Sequence, residues 1–258
     1  MGRPVVTFLS DFGAGSGYPA QMKGEVLRRR PNAVLVDLSH EVPPFDLLTG
    51  ALLLEACVPS FPESAVHVAV VDPGVGTARR PVCVVDPAGR RLVGPDNGLL
   101  SPFLGEGAAV FLLADPLLVP RDPSPTFHGR DLFAPVAAWL AGGGDPARLG
   151  PRVDDPVRLE GLSPRRTPGA LEGACLAADP FGNLLTSIRR SDLEGRGVAG
   201  VKVAGREARL VTTFGEGRPG ELLALWGSGG RLEIALREGS AALDLGIARG
   251  APVRVALA

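Results

Sequence analysis

The most constraining feature of this sequence is a change of pattern near its middle. The first half alternates apolar, strand-like runs with segments of helical character. This alternation is typical of an α/β layer with a mostly parallel sheet flanked by helices. The runs that read as buried strands are PVVTFLS, AVLVDLS, AVHVAVV and AVFLLA.

Three helices are predicted between these strands. Pro19 is suited to the first turn of a helix through AQMKGEVLRRR, because its missing N–H has no partner there in any case. Asp46 is placed to cap a second helix that begins LLTGALLLEA. A third helix should begin just after His128 and end at the glycines that start with Gly142.

The second half predicts a small all-β domain. Residues 159–172 are rich in proline and charge and lack periodicity, so they read as a linker. Short alternating runs then follow, separated by turns that contain glycine, which is typical of a barrel or a sandwich. We therefore expect an α/β domain over 1–158, the linker over 159–172 and a barrel-like β domain over 173–258.

Composition limits the classes of molecule that the chain is expected to bind. With 27 basic and 28 acidic residues the net charge is −1, which offers no broad attraction for nucleic acid or an anionic membrane. Cys57, Cys83 and Cys175 lie far apart, so we expect core thiols and no metal site. No secretory leader is evident, and the longest apolar stretch is about half of the ~20 residues that span a bilayer. These features predict a cytoplasmic protein that acts on a small molecule.

The segment DFGAGSG at 11–17 leaves an alternative open. It follows a strand and matches the glycine pattern with which Rossmann-type methyltransferases bind S-adenosylmethionine. A dinucleotide fingerprint needs GxGxxG, whereas this loop reads GAGSGY and runs into Pro19. A lone glycine signature is weak, and an ordinary strand-to-helix loop explains these residues equally well.

Charged and polar residues stand at strand ends or glycine turns in four segments. These are SDFG, VVDPGVGTARR, PDNG and TFHGRDLFAP. In an α/β sheet, ligands bind in the crevice beyond the carboxyl ends of the strands, so Asp11 and Asp72 are candidates to face one pocket. Each residue taken alone has a structural explanation, such as a capped turn, a surface ion pair or a packed histidine.

Together with four further segments, these four resemble a known family. The further segments are YPAQMKG, LSHEVPPFD, DPFGNLLTSI and GSGGRLEIALREGSAA, and two of the first four extend to HVAVVDPGVGTARR and GPDNG. In this order they are similar to the S-adenosylmethionine hydroxide adenosyltransferases, whose fold the chlorinases and fluorinases share. The resemblance implies hydrolysis of S-adenosylmethionine to adenosine and methionine.

The resemblance implies a catalytic triad of Asp72, Arg79 and His128 that directs water at the ribose C5′. The related halogenases typically carry other residues at the Asp and His positions, so hydroxide is favoured over halide here. A cation favours the charged form of a nearby water, while His128 or Asp72 accepts its proton. Which of the two is the base stays open at this point.

Substrate contacts are also implied by the resemblance. Asp11 is expected to hold the ribose hydroxyls, Asn183 the adenine edge and Asp179 the methionine ammonium. Ser228 and Glu233 are expected to complete these contacts from the second domain. For Asp179 and Asn183, the structural alternative is an ordinary hairpin turn, and TSI stands where the family often has TNI.

The family also implies homotrimers with active sites at subunit interfaces, and a reaction without metal or cofactor. His40 and His67 are expected to be structural. Two alternative functions remain, a halogenase that uses S-adenosylmethionine and a non-catalytic sensor of S-adenosylmethionine or adenosine.

Overall fold

The computed structural model describes residues 2–119, 122–247 and 249–258. The chain divides into two compact units, Met1–Leu159 and Glu160–Ala258. Residues 159–172, predicted as a linker, contain strand β7 (Arg165–Thr167) and the start of β8 (Ala170–Ala178).

The first unit is built on a six-stranded sheet in the order β2-β1-β3-β5-β4-β6. The pairs β1–β2, β1–β3 and β3–β5 are parallel, whereas β4 pairs antiparallel with β5 and β6. The predicted mixed α/β layer is therefore confirmed. The strands are β1 (Val5–Ser10), β2 (Val34–Ser39), β3 (Val66–Val70), β4 (Pro81–Val85), β5 (Arg91–Pro95) and β6 (Ala109–Leu112).

The three predicted helices are present. Helix α1 (Tyr18–Arg29) has Pro19 in its first turn. Helix α2 (Leu47–Cys57) is capped by Asp46, whose Oδ1 accepts from the Thr49 N–H at 3.1 Å. The third begins as a π-helical segment, Gly129–Phe133, and continues as α3 (Ala134–Ala141), ending at Gly142.

Hydrophobic cores lie on both faces of this sheet, which is why its strands are nearly continuous apolar runs. On one face Phe8 of β1 packs with residues of α1 and α3, including Met22 and Phe133. On the other face Leu9 packs with Leu54 of α2. This arrangement leaves the carboxyl ends of β1 and β3 level with each other, since Ser10 pairs with Val70.

The second unit is a seven-stranded barrel. Strands β8 to β14 are ordered β14-β10-β11-β12-β13-β9-β8, and β14 also pairs with β8, which closes the ring. All these pairs are antiparallel except β11–β12. The remaining strands are β9 (Leu184–Arg189), β10 (Val198–Val203), β11 (Arg206–Leu210), β12 (Leu222–Trp226), β13 (Arg231–Leu236) and β14 (Pro252–Leu257), and a short helix, α4 (Ala241–Leu245), follows β13.

The three cysteines are free thiols; Cys83 and Cys175 are buried, as expected of core thiols, whereas Cys57 is partly exposed. Within the described parts of the chain, no helix is long and apolar enough to cross a membrane.

Candidate active site

The turn after β3 places Asp72 at the carboxyl edge of the first unit's sheet. Asn97 steadies the end of this strand by donating from Nδ2 to the Val71 carbonyl at 2.8 Å. Gly76 has φ +76°, and a Cβ there would lie 2.4 Å from the Pro125 carbonyl oxygen. The glycine therefore lets this turn approach the loop that leads to His128, which no residue with a side chain permits without a shift.

Arg79 joins the predicted triad into one bonded group. Its Nε donates to both Asp72 carboxylate oxygens, at 2.9 and 3.1 Å, and its Nη2 donates to Asp72 Oδ2. The same Nη2 lies 2.8 Å from His128 Nδ1. The side chains of Asp72 and Arg79 are 4% and 9% exposed, so this ion pair is nearly excluded from water.

The bond from Arg79 fixes the proton arrangement of His128. A guanidinium has five N–H donors and no acceptor, so Nδ1 of the ring must accept. The ring is therefore neutral and carries its hydrogen on Nε2. Burial, and then the Arg79 charge, lower the pKa of His128, which agrees with this neutral form.

Phe133 supports both partners from the π-helical segment. The Arg79 Cζ lies 5.3 Å from the centre of its ring, and the His128 ring meets it edge-on at 6.5 Å between centroids. A cation over an aromatic face is favourable, and more so when it is shielded from water. Phe133 was not among the predicted site residues.

One donor of this group is left over. Arg79 Nη1 is buried and has no hydrogen-bond partner among the residues that the structure describes. A buried N–H of a cation without an acceptor costs free energy, so such a group marks a place for a polar ligand. The arrangement can therefore bind and polarise an oxygen atom at Nη1, in a group where the Asp72 carboxylate is an acceptor and the His128 ring presents its Nε2–H as a donor.

Asp11 follows β1, the strand next to β3, at the same edge of the sheet. Its Oδ2 accepts from the Phe45 N–H at 2.9 Å. Phe45 itself has φ +65° and is 68% exposed, a strained backbone for an aromatic residue. This bond uses only Oδ2, which leaves the carboxylate able to accept further hydrogen bonds.

Asp96, Arg130 and Asp131, from the other conspicuous segments, have structural partners. Buried Asp96 accepts from Arg80 Nε and the Val157 N–H, both at 2.8 Å. Arg130 is paired with Asp131, whose Oδ2 also accepts from the Ser124 N–H at 3.0 Å. Each of these residues therefore has the kind of structural contact that its position in a turn or ion pair predicts.

In the second unit, the four predicted residues line one cavity of about 690 Å³: Asp179, Asn183, Ser228 and Glu233. The same cavity is lined by aromatic and charged side chains that the sequence reasoning missed, namely Phe181, Phe214, Trp226, Arg237 and Glu238. The exposure of Phe181, at 80%, is unusual for an aromatic side chain. Its position inside the DPFGN turn is the sequence feature that could have indicated Phe181 as a site residue.

Asp179 and Asn183 also form the turn between β8 and β9. Asp179 Oδ1 accepts from the Phe181 and Asn183 N–H groups at 2.9 and 2.8 Å, and its Oδ2 accepts from Asn183 Nδ2 at 2.8 Å. The hairpin explanation therefore applies in part, and it leaves the Asn183 Oδ1 as an acceptor. Burial, followed by the nearby Asp179 charge, raises the pKa of Glu233.

Comparisons of this chain with protein families and with individual proteins indicate the same family. The N-terminal domain of the SAM hydroxide adenosyltransferases matches residues 6–150, and their C-terminal domain matches residues 173–254. The chain is 44% identical to an (R)-S-adenosyl-L-methionine hydrolase of Thermus thermophilus, over 98% of this chain and 99% of that one. It is 31% identical to a fluorinase of Nocardia brasiliensis, over 98% and 97%.

Among solved structures, an uncharacterised conserved protein of Thermotoga maritima has the same fold. It superposes with a TM-score of 0.85 at 34% identity, over 97% of this chain and 99% of that one.

Proposed function

The chain belongs to the SAM hydroxide adenosyltransferase family, and on this basis we propose that it hydrolyses S-adenosylmethionine to adenosine and methionine. The observation that carries the proposal is the buried, unpartnered Nη1 of Arg79 beside Asp72 and His128. The hydrolase of Thermus thermophilus is a nearer relative than the fluorinase, at 44% against 31% identity.

In the proposed reaction a water oxygen attacks the ribose C5′ in line with the sulfonium sulfur. The C5′–S bond breaks, and its electron pair stays on sulfur as the neutral thioether of methionine. This leaving group needs no acid, so the protein's task is to make and aim the nucleophile. An oxygen held about 3 Å from C5′ gains most from being correctly oriented.

Arg79 Nη1 donates to the attacking oxygen and favours its deprotonated form. Asp72 holds the guanidinium through its Nε and Nη2, so that Nη1 is aimed without freedom to rotate. The released proton passes to the Asp72 carboxylate and then to solvent. The neutral His128 ring can accept it only at Nδ1, after giving up its bond from Arg79 Nη2.

The proposed substrate contacts divide between the two units. Asp11 accepts the ribose hydroxyls in the first unit. In the second unit, Asn183 Oδ1 accepts from the adenine amine and Asp179 attracts the methionine ammonium, with Ser228 and Glu233 completing these contacts. The aromatic lining of the cavity in the second unit favours a flat base.

The names of the relatives suggest a stereochemical preference. They specify the (R) form, and because L already fixes the α-carbon, the remaining variable centre is the sulfonium sulfur. We propose the same preference for this chain. Incubation with a mixture of the two sulfonium epimers, followed by their separation, should show consumption of the (R) epimer first.

Further elements of the proposal rest on the family resemblance and the sequence. They are assembly as a homotrimer, a reaction without a metal or cofactor, and a cytoplasmic location. Light scattering tests the first, turnover after chelation and dialysis tests the second, and cell fractionation tests the third.

The decisive experiment uses S-adenosylmethionine in oxygen-18 water, with a parallel sample that contains chloride. Adenosine that carries the heavy oxygen, together with methionine, supports the hydrolase. Chlorinated 5′-deoxyadenosine would overturn the hydrolase proposal in favour of the halogenase. Tight binding without product would overturn it in favour of the sensor.

A further inference from the structure

A chain of polar side chains runs behind Asp11, outside the triad. Lys23 Nζ donates to Asp37 Oδ2 at 2.6 Å, and Asp37 Oδ1 lies 3.0 Å from His40 Nε2. On the other side of the ring, His40 Nδ1 lies 2.7 Å from Ser10 Oγ. Ser10 and His40 are 0% and 5% exposed. We refer to Lys23, Asp37, His40 and Ser10 as the His40 chain.

Each bond in the His40 chain has one donor and one acceptor that follow from the side chains involved. Ser10 Oγ accepts from the Phe12 N–H at 3.3 Å, so its own hydrogen is free to be donated to His40 Nδ1. The ring then carries its hydrogen on Nε2 and donates it to Asp37. Partial burial raises the pKa of Asp37, but hydrogen bonds from Lys23 and His40 outweigh it and keep that pKa below its usual value. Each of the three bonds in the His40 chain thus joins one donor to one acceptor.

The order Ser–His–Asp resembles a hydrolytic triad, but the geometry argues for another role. Ser10 has no accessible surface, so no substrate carbon can reach its hydroxyl. A nucleophile must be within reach of the atom that it attacks. The His40 chain therefore holds a structure in place.

The held structure is the Asp11 loop, residues 11–14. Three consecutive backbone N–H groups of this loop donate to Ser10, His40 and Glu41. Phe12 N donates to Ser10 Oγ, Gly13 N to the His40 carbonyl at 2.7 Å, and Ala14 N to Glu41 Oε1 at 2.5 Å. Asp11 lies between Ser10, which is bonded to His40, and the anchored Phe12, so its backbone is held on both sides.

We propose that His40 is a positioning residue, which orders the Asp11 loop through its bond with Ser10 and so sets how tightly the ribose is held. The inference rests on the proposed function, in which Asp11 contacts the ribose. A loop that must be ordered at each binding event lowers affinity, whereas a preordered loop does not. Loss of the imidazole should therefore affect binding of S-adenosylmethionine more than the chemical step.

The test compares three variants by KM and kcat. His40→Ala leaves the Ser10 hydroxyl without its acceptor and should raise KM about tenfold with a much smaller change in kcat. His40→Asn places an amide oxygen near the former Nδ1 and should restore most of the loss. Ser10→Ala removes a single oxygen and should shift KM in the same direction, which keeps the test available if His40→Ala does not fold.

His67 supplies the matched control. It is also a fully buried histidine bonded to a hydroxyl of β1, since its Nδ1 lies 2.8 Å from Thr7 Oγ1. Its other ring nitrogen, Nε2, has no hydrogen-bond partner in the described part of the chain, so the ring is not bonded to the Asp11 loop. His67→Ala should therefore lower the melting temperature and leave KM unchanged. An unchanged KM in His40→Ala, or an equal rise in His67→Ala, would overturn the inference.

Failure of the proposed function gives a different result. A wild-type protein that binds S-adenosylmethionine but forms no adenosine overturns the proposed hydrolysis. The same variants are then compared by Kd from calorimetry, where a rise confined to His40 and Ser10 supports the positioning role. A wild-type protein that neither binds nor turns over S-adenosylmethionine overturns both.

Discussion

Replacing Arg79 with lysine keeps the positive charge and removes the geometry. In the wild type, one planar guanidinium donates to both Asp72 oxygens and to His128, and still has Nη1 available. An ammonium is a point charge with three donors and cannot occupy these positions together. Losing one fixed donor to a reacting oxygen typically costs about 100- to 1,000-fold in kcat, or about 3 to 4 kcal/mol in the activation free energy.

We therefore expect Arg79→Lys to lose about 100- to 1,000-fold in kcat, with KM less affected. The assay is the initial rate of adenosine formation at saturating S-adenosylmethionine, followed by liquid chromatography. Arg80→Lys is the matched control, because Arg80 is the neighbouring residue and bonds to Asp96 and Asp155. Wild-type kcat in Arg79→Lys, or an equal loss in Arg80→Lys, would refute the reasoning.

Three further predictions concern pH and the backbone. Because the pKa of His128 is lowered, its neutral form persists below pH 6.5, and the acid limb of kcat/KM should lie below that value. Burial, and then the Arg90 charge, lower the pKa of His67 to about 4, so the folded state disfavours its protonation. The unfolding free energy should therefore decrease by about 3 kcal/mol as the pH falls from 6.5 to 4, and denaturation of His67→Gln should show a smaller decrease. Gly76→Ala should lower the free energy of unfolding by at least about 2 kcal/mol and abolish most of the activity. Gly89 also has a positive φ, +82°, but no atom lies within 4 Å of a Cβ placed there, so Gly89→Ala should lower the free energy of unfolding by about 1 kcal/mol and leave the activity unchanged.

The sequence predicts the fold well where the signal is local. The first strand, the Asp46 cap and the proline in α1 follow from burial pattern and chain stereochemistry, and the structure confirms them. Strands β4 and β5 were missed, because each lies directly beside a segment that reads as a glycine turn. Helix α4 was missed because its five residues are too few to show a helical period.

For the candidate site, the sequence supplies the residues but not the bonds between them. Asp72, Arg79 and His128 stand in motifs that could be recognised one by one. That Arg79 lies between the other two, with His128 as acceptor, depends on a close approach of two loops 49 residues apart in sequence. The same holds for Phe133, whose contact with Arg79 exists only because a π-helical segment places it there.

The charges around Arg79 also bear on the choice between water and a halide. A halide brings no proton, so a site built for it needs a cation and has no use for proton acceptors. Here the cation is already neutralised by the Asp72 carboxylate, and the neighbouring His128 ring presents no charge of its own. An anion at Arg79 Nη1 therefore meets an ion pair without net charge, so it gains less than it would from an unpaired cation. A water molecule arrives neutral, and the group offers it the Nη1 donor together with a carboxylate that can accept its proton.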